Sequence, residues 1–156
     1  MESAKLLIDS GVNLNSITNY QRTPLHLAAE NNHVDIIRLL ISSGAEINPR
    51  DHHKCTPLML AAKKNACEAL RYLLISRSDI RLVDYRSWTA LHYAAYLNNP
   101  HAVKILVNWD IDSGYLVSHK NSQGKTAIML TTDGRTKFAF KTFWEAARKG
   151  DLDASR

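Results

Sequence analysis

The chain has 156 residues, room for one domain of ordinary size, with 45% hydrophobic and 22% charged residues, the balance of a soluble folded protein. No apolar run approaches the 18 or more residues that would span a bilayer, and Met1-Glu2-Ser3-Ala4-Lys5 leads into an amphipathic stretch, not into the long apolar core of a secretion signal. The net charge of +5 favours acidic partners in general, and two cysteines, Cys55 and Cys67, make no disulfide framework and suit a reducing compartment, cytoplasm or nucleus.

In chain order, residues 1–18 carry one amphipathic segment with Gly11 near its end. Thr23-Pro24-Leu25-His26-Leu27-Ala28-Ala29 then opens a short helix. Thr at the N-cap accepts a backbone hydrogen bond through its hydroxyl, and Pro in the first turn gives up an N–H that had no helical partner. Val34-Asp35-Ile36-Ile37-Arg38-Leu39-Leu40-Ile41 follows with apolar residues at helical spacing, and Gly44 supplies the left-handed residue that ends this second helix. The same two-helix unit returns as Thr56-Pro57-Leu58-Met59-Leu60-Ala61-Ala62 with Glu68-Ala69-Leu70-Arg71-Tyr72-Leu73-Leu74. It returns again as Thr89-Ala90-Leu91-His92-Tyr93-Ala94-Ala95 with Ala102-Val103-Lys104-Ile105-Leu106-Val107. A decayed copy begins at Thr126, so the threonines stand 33, 33 and 37 residues apart. Asp51 and Asp84 lie five residues before the next threonine, in the turns that link units.

A TPLHLAA phrase at a 33-residue period resembles the ankyrin repeat, over nearly the whole chain. The resemblance implies an all-α solenoid of helix-turn-helix units joined by short hairpin-like turns, spanning 1–150 as one domain. Full repeats are expected at 19–51, 52–84 and 85–121, a degenerate one at 122–150, and a partial one at 1–18. The extra residues of the third unit, Asp110-Ile111-Asp112-Ser113-Gly114-Tyr115, are expected to bulge on the loop side. Both ends look cut, as in a piece of a longer array. Residues 136–149 read either as a capping helix or, from Trp144 to Leu152, as the opening of a further repeat; 151–156 are then a tail or its continuation.

By the same resemblance a protein partner is expected in a concave groove, lined by the turn tips and the outward face of each first helix. The first unit contributes Asn19, Tyr20, Arg22, Glu30 and Asn31, and the second His52, His53, Cys55, Lys63 and Lys64. The third contributes Tyr85, Arg86, Trp88, Tyr96 and Leu97, and the fourth Ser122, Gln123, Lys125 and Asp133. Five cations among these face two carboxylates, and Trp88 with Tyr85 and Tyr96 supplies aromatic anchors of the kind interfaces use. The expected partner is therefore an acidic segment with an apolar anchor, with Cys55 exposed at a tip and Cys67 buried. His26 and His92 are expected to be structural, bonding between neighbouring turns.

Other chemistry fits less well. Gln123-Gly124-Lys125-Thr126 lacks the earlier glycine of a phosphate loop, and its Thr is a helix cap. His52, His53 and Cys55 lack a second ligand pair for zinc. No nucleophile, base and orienter stand out, so neither catalysis nor a cofactor or metal is expected, nor membrane insertion. A nucleic acid could use Lys63, Lys64, Tyr85, Arg86 and Trp88, but no nucleic-acid motif accompanies them. The segments Arg22 to His33 and Ala61 to Lys64 are also similar to the ankyrin region of euchromatic histone lysine methyltransferases. There Trp88 and Tyr93 would match an aromatic cage for methyl-lysine, with Tyr96 in place of an acid and Leu130 in place of another aromatic.

Overall fold

The threonine-led phrases do form helices. The computed structural model describes residues 14–15, 17–141, 145 and 149, and among these it is helical with no strand. Inner helices α1 (Pro24–Glu30), α3 (Pro57–Lys63) and α5 (Ala90–Tyr96) each follow an extended Thr that accepts from the backbone N–H three residues on. Outer helices α2 (Val34–Ser42), α4 (Cys67–Ile75) and α6 (Pro100–Trp109) run back beside them. After α6 come α7 (Tyr115–Ser118), α8 (Ala127–Leu130) and a helical stretch over 134–141.

Packing follows the repeat. Leu25, Leu58 and Leu91 are fully buried at one register position, and Ile37, Leu70 and Val103 at another. Each such side chain contributes about 1.5–3 kcal/mol by leaving water. The Ala pairs 28–29, 61–62 and 94–95 are buried and let the helices approach closely. Inner helices stack in the order α1, α3, α5, α8 and outer ones in the order α2, α4, α6, so contacts run between neighbouring units.

The backbone shows a second period that only partly reads from the sequence. Gln21, Lys54, Ser87 and Gly124 have positive φ, as do Asn32, Asn65 and Asn98, and Gly44 with Arg77. A left-handed residue other than glycine costs about 1–2 kcal/mol. The asparagines recover some of that through side-chain bonds: Asn32 Oδ1 accepts from the Ala69 N–H at 2.9 Å.

Two expectations change. The insertion after α6 is not a bulge. Asp110 Oδ2 accepts the Leu116 N–H at 2.7 Å, Gly114 turns at φ +64, and α7 returns Leu116 and Val117 to the core. In the fourth unit Thr126 makes no side-chain cap bond, and α8 stops after one turn. Asn98 Oδ1 takes the chain there, accepting from Thr131 Oγ1 at 2.7 Å and from the N–H groups of Thr132 and Asp133 at 3.2 Å. Asp133 then caps the helix beginning at 134, accepting the Thr136 N–H at 2.9 Å, and Thr136 and Phe140 are fully buried. The partial unit at 1–18 and the segment Trp144 to Leu152 lie mostly outside the described residues, as does Gly11.

Candidate functional site

Each turn that carries the expected tip residues is tied by the side chain five positions before the cap threonine. Asp51 Oδ1 accepts the N–H groups of His53 and Cys55, Asp84 Oδ1 those of Arg86 and Trp88, and Asn121 Oδ1 those of Gln123 and Lys125, all at 2.8–3.0 Å. Neighbouring tips then join by backbone bonds: His52 N–H to Tyr20 O, Tyr85 N–H to His53 O, and Ser122 N–H to Arg86 O.

His26 and His92 brace this ladder from inside. The Thr23 N–H donates to His26 Nδ1 at 3.1 Å, so the proton sits on Nε2, which donates to Cys55 O at 2.8 Å. His92 repeats this with Thr89 and Lys125 O. Burial lowers both imidazole pKa values below 6.5, against a raising effect of the carbonyl partners. A proton on Nδ1 would also face the threonine N–H. Above pH 6.5 both rings are neutral, folded or unfolded, and their contribution is whole. As pH falls below that, the unfolded chain takes protons that the folded chain refuses, and stability drops until the lowered folded-state values are passed. Thermal melts between pH 7.5 and 5 should show this loss, and the His26→Gln, His92→Gln chain should show a flatter profile.

The expected groove residues come together as two rows. Along the tips run Tyr20, His52, His53 and Tyr85, with successive ring centroids 5.4, 3.7 and 5.5 Å apart. Tyr20 is 64% exposed and Tyr85 60%. On the inner helices Lys63, Lys64, Tyr96 and Leu97 are exposed, as are Asn31, whose amide bonds to Leu27 O, and Lys125 on the fourth tip. Between the rows a cavity of about 170 Å³ is lined by Arg22, Asp51, Cys55, Lys63, Arg86 and Tyr93, among others.

The charge is more balanced than the sequence suggests. Arg22 pairs with Glu30 at 3.0 Å and Asp51 at 3.6 Å, Lys64 with Glu30 at 3.9 Å, and Arg86 with Asp84 at 3.7 Å. Lys63 and Lys125 make no ion pair among the described residues.

Trp88 is not an open anchor. It is only 7% exposed, edge-to-face with Tyr93 and Tyr96 at 5.1 and 5.2 Å, and the Arg86 guanidinium lies over its ring at 4.3 Å. The methyl-lysine cage is not formed either. Trp88 and Tyr93 pack on each other, and a cation of the chain itself occupies the Trp88 face. Tyr93 belongs to a buried network that sequence reasoning missed: its hydroxyl donates to Asp84 Oδ2 and contacts Cys55 Sγ and Arg86 Nη2 at 3.4 Å. The signal was a tyrosine where the two earlier units carry Leu27 and Leu60.

The cysteines are reversed from expectation. Cys55 is buried: its carbonyl accepts from Asp51 N–H and His26, and Tyr93 of the next unit lies against its thiol, hydroxyl to Sγ at 3.4 Å. Burial pushes its thiol pKa up to about 11. Cys67 is half-buried, and its thiol donates to Asn65 Oδ1 at 3.4 Å. Iodoacetamide at neutral pH should label Cys67 first; peptide mapping that finds Cys55 labelled as fast in the folded chain would contradict this burial. Among the described residues no group of three His, Cys, Asp or Glu could hold a metal ion, and no helix is long and apolar enough to cross a membrane.

A family model described as ankyrin repeats (3 copies) matches residues 1–51 and 58–140. No curated protein matches the chain.

Proposed function

Because this chain belongs to the ankyrin-repeat family, whose arrays are in general protein–protein interaction modules, we propose that its concave side holds a segment of another protein across repeats one to three. The observation that carries this reading is the exposed ring row Tyr20, His52, His53 and Tyr85 along the tips, with Tyr96 on the inner helix below. Exposed tyrosines on a rigid ladder offer large contact area at little entropic cost. The partner segment brings an apolar side chain to Tyr85, Tyr96 and Leu97, and a carboxylate to Lys63. Trp88 serves from below, holding Arg86 and Tyr96 in place. Protein is favoured over nucleic acid because Glu30, Asp51 and Asp84 break the cations into pairs instead of a continuous stripe.

The test is site-specific photo-crosslinking. A photoreactive residue at Tyr85 or Tyr96 should capture one partner from cell extract, and the same group at Arg38, on an outer helix, should not. Purified partner should then bind Tyr96→Ala about tenfold or more weakly. If it binds the Tyr85→Ala, Tyr96→Ala chain normally and is lost on Arg38→Glu, the partner sits on the other side of the solenoid. Capture of a short RNA in place of protein would favour the nucleic-acid reading.

A further inference from the structure

The outer helices leave two grooves between neighbours, one between α2 and α4 and one between α4 and α6. The three helices start at residues 34, 67 and 100, so the two grooves can be compared position by position. Where the first groove has Ser42, Glu68 and Ser76, the second has Ile75, His101 and Trp109. Two hydroxyl side chains become large apolar ones, and an acid becomes a potential base. Where the first groove sets Arg38 over the Tyr72 ring at 5.5 Å, the second has Ile105 at the tyrosine's position opposite Arg71.

The result is a groove of about 500 Å³ with an apolar floor. Ile75 is 68% exposed and Trp109 51%, while the core positions of the same helices are already filled by Leu73, Leu74, Leu106 and Val107. Ile75 and Trp109 therefore lie largely outside the packing of the array. Arg71, His101 and Lys104 line the groove, and no carboxylate does. Neither Arg71 nor Lys104 has an ion pair among the described residues. The space beside the first groove, by contrast, is lined by Asp35 and Glu68 as well as Arg38.

We propose that the α4–α6 groove is a second docking surface, independent of the concave side, for an acidic protein segment that lays one large apolar side chain against Ile75 and Trp109. Carboxylates on that segment meet Arg71 and Lys104, which supplies the register. An apolar patch rimmed by polar residues is the usual mark of such a surface. With both faces in use, the array joins two partners at once.

The experiment uses a displayed library of random twelve-residue peptides, selected on the full chain and depleted on the Trp109→Ser, Lys104→Glu variant. Serine is the residue that the preceding repeat carries at this position, so the fold accommodates it; a melt equal to the parent's checks this. Peptides that survive should carry Asp or Glu around a Trp, Phe, Leu or Ile. By fluorescence anisotropy they should bind Trp109→Ser at least tenfold more weakly and Tyr85→Ser unchanged. Arg71→Glu should abolish binding, and raised salt should weaken it. The proposal fails if depletion leaves no peptides, or if the survivors are basic or uncharged. It fails likewise if Tyr85→Ser removes their binding. Sedimentation showing that Trp109→Ser dissolves a dimer would assign the groove to a second copy instead. Flotation with anionic vesicles, lost on Trp109→Ser in the absence of selected peptides, would assign it to a membrane surface.

Discussion

Trp88→Ala is expected to lower the stability of the chain by about 3–5 kcal/mol, the range for emptying a large aromatic site in a packed interior. The side chain is nearly all buried and wedged between Tyr93 and Tyr96. Its loss also removes the platform under Arg86. Because contacts run between neighbouring repeats, the damage should concentrate in α5 and its interfaces with α3, α6 and α8. Urea titration followed by circular dichroism measures the loss, and hydrogen exchange places it. A change under about 1 kcal/mol would mean that Trp88 is not packed as described.

Asp84→Ala should cost about 3 kcal/mol, the low end of the range for breaking a buried charged contact, since Arg86 keeps access to water. The substitution strips acceptors from the N–H groups of Arg86 and Trp88 and from the Tyr93 hydroxyl together. Asp84→Asn should cost only about 1 kcal/mol. Asn121 already performs the turn-closing role in the fourth unit through its own Oδ1, and the Tyr93 hydroxyl can turn to accept from an amide. Equal losses for Ala and Asn would show that the carboxylate charge, not the turn geometry, is what matters. Asp51→Ala should be milder than Asp84→Ala, because Leu60 stands where Tyr93 would donate a hydroxyl hydrogen bond.

What the sequence makes legible is what repeats. Thr23, Thr56 and Thr89, the prolines after two of them and the alanine pairs recur because every unit needs the same cap and the same close approach, so the fold could be read directly. The structural role of His26 and His92 was legible for the same reason. The side of a turn on which a side chain falls was not. Arg22, Cys55, Trp88 and Lys125 share one register position yet run from half-buried through buried to exposed, because the neighbour from the next unit decides it. Cys55 and Tyr93 are 38 residues apart and meet only once two units are stacked. The outer groove is a difference between repeats, invisible to a reading that looks for what they share.

The extra residues before α7 have a practical meaning for anyone who would build on this chain. They lengthen the third repeat to 37 residues between threonines, yet the fourth tip still bonds to the third through Ser122 N–H and Arg86 O at 3.0 Å, as the shorter units do. The tips therefore form a ruler whose marks do not move when material is added behind it. A reporter peptide grafted between exposed Asp112 and Ser113 should leave the spacing read by a groove-bound partner unchanged. Added residues in the tight turns at Gln21, Lys54 or Ser87, each held at positive φ, would shift every mark that follows.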